Sequence, residues 1–220
     1  MLSGVGTAPD GSPLRVYERL PELGEGEVVA AVVPAGRSVL ELGAGVGRIT
    51  RQLVRLGYVV TAVDESAEML AHVRDAETVQ ASIEELELGR RFDVVLLAGN
   101  LVNAEPEQRR AFLSACRRHA DLAVVEGLPL GWAPDDGETT LGEVVSRLQV
   151  DRVEDGVVHG SVEYEVDSQT WRHPFAMHVF AADEELDAAL AEAGLRLERR
   201  IDERWFVAVR GGPAPRARER

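Results

Sequence analysis

The chain has 220 residues, 38 Asp and Glu against 24 basic side chains that are all Arg, and a formal net charge of −14. Without lysine it forms no lysine Schiff base and completes no Walker-type phosphate loop, and its single cysteine, Cys116, makes neither an internal disulfide nor a multi-cysteine zinc site. The acidic balance argues against nucleic-acid and anionic-membrane partners, whose phosphates would go unneutralised, while a hydrophobic fraction of 45% suffices for one globular core.

Residues 1–14, with Gly, Ser and Pro and no periodicity, read as a flexible arm. They lack the basic and apolar regions of a signal peptide, and the longest apolar run, Val28 to Val33, is too short to span a bilayer. A cytoplasmic protein is therefore expected. Glu27 to Val33 reads as a helix stopping at Pro34, and Ser38 to Leu42 as an apolar strand feeding a glycine turn. Arg48 to Leu56 is a helix with Ile49, Leu53 and Leu56 on one face, ended by Gly57. Val59 to Val63 is a β-branched strand, and Ser66 caps a helix reaching about Asp75. Thr78 to Ala81 and Phe92 to Leu97 are strands, the second of the type buried on both faces. Pro106 opens a helix to about Arg118, followed by a strand from Leu122 to Val125. This alternation predicts an α/β fold with a Rossmann-like, doubly wound, mostly parallel sheet.

The rhythm then changes. Val144 to Phe180 holds three strand-like runs, the first pair joined at Asp155-Gly156, a strong hairpin signal, and the second at Asp167-Ser168, a weaker one. Residues 133–180 read as a small antiparallel β insert. A helix from Asp183 to Ala193, closed by Gly194, precedes strands Leu195 to Ile201 and Arg204 to Val209. Their short join at Asp202-Glu203 requires a C-terminal antiparallel hairpin. Residues 15–210 form one domain, and residues 211–220 a Pro/Arg tail.

The key segment is VLELGAGVGRIT, Val39 to Thr50. A buried strand enters Gly43, Gly45 and Gly47, where the backbone turns tightly and approaches a ligand closely, and a helix follows. Arg48 stands where a dinucleotide fingerprint wants its last glycine. Glu41 is placed to brace the loop or to face a cationic ligand. The next strand ends in Asp64, 21 residues beyond Gly43, where an acid accepts ribose hydroxyls. This Glu-x-Gly-x-Gly-x-Gly segment, the following strand and acid, and the terminal hairpin together resemble the class I S-adenosylmethionine-dependent methyltransferases over about residues 15 to 210.

The resemblance implies a site, residue by residue. Gly43, Gly45 and Gly47 would pass under the methionine part and ribose of S-adenosylmethionine. Asp64 would take the ribose hydroxyls with Glu65 beside it, and Met69 would pack on adenine. Ser82 replaces the family's usual adenine-binding Asp, and Ile83 would offer its backbone N–H. Carbonyls near Ala98 would hold the methionine amine, Asn100 would face the sulfonium, and Tyr17 would close over the cofactor or pack on the core.

An oxygen nucleophile also needs a base, and His is the favoured type. His72 and His119, on or just after helices, read as surface residues. In the insert, alternation puts Trp171, His173, Phe175 and Met177 on one face of TWRHPFAMHVF and Arg172, Ala176 and His178 on the other. His178 is the candidate base. Glu126, ending the fifth strand, is the candidate to orient the acceptor. No metal is expected. The insert is expected to act as a lid over a small-molecule acceptor methylated on O or N, in a monomer or homodimer. Two other readings stay open: an NAD(P)-binding oxidoreductase, and a binding protein that keeps the fold without the chemistry.

Overall fold

The computed structural model describes residues 11 and 13–212. Most of the expected N-terminal arm and of the C-terminal tail lies outside the described residues. Within residues 1–14, Leu14 opens a helix, α1 (Leu14–Arg19). It is followed by α2 (Glu25–Ala30), β1 (Ser38–Leu42), α3 (Arg48–Arg55), β2 (Val59–Asp64), α4 (Ala67–Leu70), β3 (Glu77–Gln80) and β4 (Val94–Leu97). After a short 3₁₀ turn at Leu101–Asn103 come α5 (Pro106–His119) and β5 (Leu122–Glu126). The insert holds β6 (Gly137–Leu141), β7 (Val144–Glu154), β8 (Val157–Val166) and β9 (Gln169–His178), and α6 (Asp183–Glu192), β10 (Leu195–Arg200) and β11 (Trp205–Arg210) complete the chain.

One seven-stranded sheet runs in the order β10-β11-β5-β4-β1-β2-β3. The pairs joining β1 to β5 are parallel, while β11 lies antiparallel between β5 and β10. Successive side chains point to opposite faces, so Leu40 and Leu42 join Leu97, Phe112 and Leu190 on one side, and Val39 joins Leu53, Leu96 and Trp205 on the other. Both faces are covered, which is why the central strands are unbroken apolar runs.

Several expectations shift. The helix after Ser66 ends at Leu70 rather than near Asp75, because His72 and Val73 tighten the chain with N–H bonds to Met69 and Leu70, and Asp75 is left-handed at φ 59°. Phe92 is spent on a bond to the His119 carbonyl, so β4 starts at Val94. The three runs expected between Val144 and Phe180 form β7, β8 and β9, and a fourth strand, β6, precedes them in the order β6-β7-β8-β9. The additional strand, GETTL, is polar and largely exposed, and so carries no apolar alternation. Both predicted hairpins form, with Asp155-Gly156 at φ 49° and 76° and Asp167-Ser168 at φ 51° and 60°, the left-handed pairs that match the strand twist.

Candidate active site

The carboxyl ends of four strands meet at one edge of the main sheet. Registers Leu42↔Leu97, Leu42↔Val63 and Asp64↔Gln80 bring Ala98, Gly43, Asp64 and Ala81 side by side in sheet order. A cavity of about 520 Å³ opens above them. Such an edge is where open α/β sheets bind ligands.

The glycine loop is shaped for this position. Gly43, Gly45 and Gly47 have φ of 71°, 55° and 78°, a region that side chains disfavour. A Cβ on Gly45 would meet nothing within 4 Å, since that face looks into the cavity, whereas one on Gly47 would come 3.0 Å from Val73. Asp64 ties the loop to β2. Its Oδ2 accepts the Gly45 N–H at 2.8 Å and its Oδ1 the Ser66 N–H at 2.9 Å. Ser66 in turn caps α4 by accepting the Met69 N–H. Met69 and Val46 form a small buried cluster against which Tyr17 of α1 packs.

Glu41 and Arg48 work beneath the loop rather than on the cavity wall. Glu41 is buried, and its Oε2 accepts the Thr50 hydroxyl at 2.6 Å. Burial pushes its carboxyl up to about 7, with Thr50 and then Arg48 pulling the other way. Of the two roles open to Glu41, the geometry matches the brace. Arg48 turns inward and pairs with buried Glu25, which also accepts from Gln52 Nε2 at 2.9 Å. The Gln52 side-chain oxygen Oε1 takes the Gly26 N–H, so this cluster joins α2 to α3.

Of the residues expected at the cofactor, Tyr17, Gly43, Gly45, Asp64, Glu65, Met69, Ser82, Ile83, Ala98 and Asn100 all border the cavity, whereas Glu41 and Gly47 do not. Leu101 and, from α5, Phe112 close one side. The insert supplies the roof through Val162 and Tyr164 of β8 and His173, Phe175 and Met177 of β9. Gly160 stands opposite Phe175, and a Cβ there would fall 2.3 Å from the Gln149 carbonyl, so this position cannot carry a side chain. Burial raises the Tyr164 phenol well above its ordinary range.

The two catalytic candidates are placed otherwise than the sequence suggested. His178 borders no part of the cavity. Its Nε2 lies 2.9 Å from Glu185 Oε1, and its ring stands edge-on to Phe180 at 5.1 Å. Of the residues that alternation put on one face of β9, His173, Phe175 and Met177 border the cavity and Trp171 does not, while Ala176, assigned to the other face, borders it too. His173 Nδ1 is buried without a hydrogen-bond partner among the described residues. Glu126 also lies off the cavity wall, with Oε2 accepting the Gly99 N–H at 2.8 Å and Oε1 pairing with Arg204 at 2.8 Å. His119, expected on the surface, is buried: it sits between the Ala115 carbonyl at Nδ1 and the Leu88 N–H at Nε2. Tyr164 and His173 were missed as site residues, although Val158, Gly160, Val162 and Tyr164 alternate with polar neighbours and mark one apolar face of β8. Arg204 left no local signal.

Among the described residues, no group of three or more His, Cys, Asp or Glu is placed to hold a metal, and no helix is long and apolar enough to cross a membrane. Residues 39–121 match the family model described as a methyltransferase domain. Malonyl-[acyl-carrier protein] O-methyltransferase of Pectobacterium atrosepticum is 40% identical over 72 residues, 31% of this chain and 28% of that protein. The cypemycin N-terminal methyltransferase of a Streptomyces species is 35% identical over 92 residues, 38% of each chain. The chain thus spans about a third of the length of these relatives. The X-ray structure of the sugar N-methyltransferase KedS8 from a Streptoalloteichus species superposes with a TM-score of 0.71 at 22% identity, covering 96% of both chains. Residues 39–121 therefore resemble the methyltransferase-domain family, within a chain that shares the fold of solved methyltransferase structures.

Proposed function

We propose that this protein binds S-adenosylmethionine and transfers its methyl group to an oxygen or nitrogen of a small molecule. The observation that carries the reading is the Gly45 N–H, already donated to Asp64 at 2.8 Å. A dinucleotide's pyrophosphate needs such loop donors free. Here the donor serves a carboxylate instead, and the carboxylate oxygens keep lone pairs for ribose hydroxyls. Charge supports the same choice. The acidic residues bordering the cavity include Asp64, Glu65, Glu84 and Glu105, and no Arg borders it among the described residues. That wall suits a sulfonium and repels a diphosphate.

S-adenosylmethionine supplies a methyl group already activated by its positive sulfur. The chain's contribution is therefore alignment and exclusion of water, which are large effects for a bimolecular step. In this reading Asp64 holds the ribose, Met69, Ser82 and Ile83 border the adenine, and the loop Ala98–Asn100 receives the amino-acid end. The insert acts as the lid, and Phe175, Met177 and Tyr164 keep water from the acceptor. His173 replaces His178 as the residue that takes the acceptor's proton. The names of the relatives, one an O-methyltransferase and two acting on nitrogen, support both acceptor atoms. A cytoplasmic setting and a monomeric or homodimeric state belong to the same reading.

The test is a screen of small amines and alcohols with methyl-labelled cofactor. Label should move to at least one acceptor, and His173→Asn should lower kcat by about 10²-fold while leaving S-adenosylhomocysteine affinity within about twofold. Unchanged turnover in that variant would remove His173 from the mechanism.

A further inference from the structure

We propose that Arg204 and Glu126 are positioning residues that fix the loop Ala98–Asn100 to receive the amino-acid end of the cofactor. The inference rests on the reading of the cavity as an S-adenosylmethionine site. The sheet order gives that site a direction. Ser82 and Ile83 follow β3, Asp64 ends β2, Gly43 follows β1 and Ala98 follows β4, in one row across the sheet edge. A nucleoside with its ribose at Asp64 and its base toward Ser82 extends its other end toward β4.

The chain beyond β4 is in an unusual conformation. Gly99 and Asn100 are consecutive left-handed residues, at φ 71° and 60°. Asn tolerates this conformation better than most side chains, yet two left-handed residues in succession fix the loop's course only where neighbours hold them. The next strand across provides the constraint. Glu126, the last residue of β5, accepts the Gly99 N–H at 2.8 Å with Oε2 and pairs with Arg204 Nη2 at 2.8 Å with Oε1. The same guanidinium nitrogen reaches Asn100 Oδ1 at 3.2 Å. One carboxylate and one guanidinium thus hold both left-handed residues.

Arg204 is itself anchored. Its carbonyl accepts the Gly127 N–H at 2.8 Å, its own N–H is donated to Asp202 Oδ1 at 2.7 Å, and Trp205 beside it pairs with Glu126 across β11 and β5. The short turn of the C-terminal hairpin therefore reaches back to the rim of the site. Asn100 borders the cavity, whereas Glu126 and Arg204 do not, so the pair acts through the loop. Lysine at 204 would keep the charge but not serve equally well, because both acceptors meet the one nitrogen Nη2, whose N–H directions the rigid guanidinium plane fixes and a rotating ammonium does not.

The test compares two ligands that differ only at the end in question. S-adenosylhomocysteine carries the amino-acid chain, whereas 5′-methylthioadenosine has a methyl group in its place. Calorimetry on the full chain should show Arg204→Met weakening S-adenosylhomocysteine by about tenfold and 5′-methylthioadenosine by less than about twofold, with Arg204→Lys between Met and wild type. Glu126→Gln, which keeps an acceptor for Gly99 but weakens the pair with Arg204, should give the same split and serves if Arg204→Met is poorly folded. Equal losses for both ligands would mean general damage to the cavity, and no loss for either would mean a surface tie; each overturns the proposal. Failure of the wild type to bind either ligand would instead overturn the cofactor reading on which it rests.

Discussion

Glu41 lies buried beneath the glycine loop, with the Thr50 hydroxyl as its hydrogen-bond donor and Arg48, Glu25 and Asp64 as the charges that bear on it. Its carboxyl stands at about 7 rather than the ordinary 4.5 because burial disfavours the ionised form. Between those two values the folded protein binds more protons than the unfolded chain, so this group's contribution to stability falls as pH rises. Above about 7 the penalty is constant. Glu41→Gln removes the titration. Its melting temperature relative to wild type should therefore rise from pH 5 to pH 8, by a difference worth at most roughly 3 kcal/mol at about 1.4 kcal/mol per unit. A difference that stays flat across that range would show that Glu41 is not held protonated. The histidines mark the limit of single-residue reading. Period-two alternation sorted His173 and His178 onto opposite faces of one strand, which the structure bears out. Alternation does not say which face meets the cavity, because that is set by how β8 and α1 pack, through contacts distant in sequence. The side chains of Glu126 and Arg204 meet for the same reason, from residues 78 positions apart.

The element that couples the roof to the cofactor loop is α1. Val16 is completely buried against Val144 and Val166 of the insert, while its neighbour Tyr17 packs toward Val46 and Met69. One six-residue helix thus touches both layers. Arg15 and Arg19 reach Asp167 at the β8–β9 turn, with Arg15 Nη2 at 2.6 Å. These ion pairs are exposed and contribute little, so the apolar contact of Val16 dominates the seating of the helix. Val16→Ala should cost about 2 kcal/mol in urea unfolding and loosen the roof more than the cofactor loop. A variant with wild-type stability would show that α1 does not clamp the insert. The helix escaped sequence reading because six residues show less than two full turns of periodicity, and because buried Val16 and half-buried Tyr17 face different partners. The strand β6 escaped for the opposite reason: it is a polar edge with no buried face. By contrast β1, β2 and β4 were legible, since strands covered on both faces must be continuously apolar.

At the scale of the whole molecule, the sheet order decides what the chain can bind. Parallel pairing places four carboxyl ends in a row, and the antiparallel β11 brings the C-terminal turn to the β5 end of that row. The parallel pairing and the antiparallel final hairpin were readable from strand–helix alternation and the short final join, whereas the strand order, the seat of β11 beside β5 and the lining of the roof depend on contacts distant in sequence. The arginines follow the same division. Arg48 is spent beneath the loop, Arg204 behind it, and Arg90, Arg91 and Arg147 on surface pairs with Glu77, Asp121 and Glu138, which leaves an acidic cavity wall. In the proposed function, this wall and the Asp64-braced glycine loop select a cationic sulfonium nucleoside over a dinucleotide. Calorimetric titration of the purified protein with S-adenosylmethionine and with NADH tests it most directly. One S-adenosylmethionine should bind per chain with micromolar affinity, binding should be lost in Asp64→Ala, and NADH should give no heat of binding. Saturable binding of NADH with none of S-adenosylmethionine would contradict it.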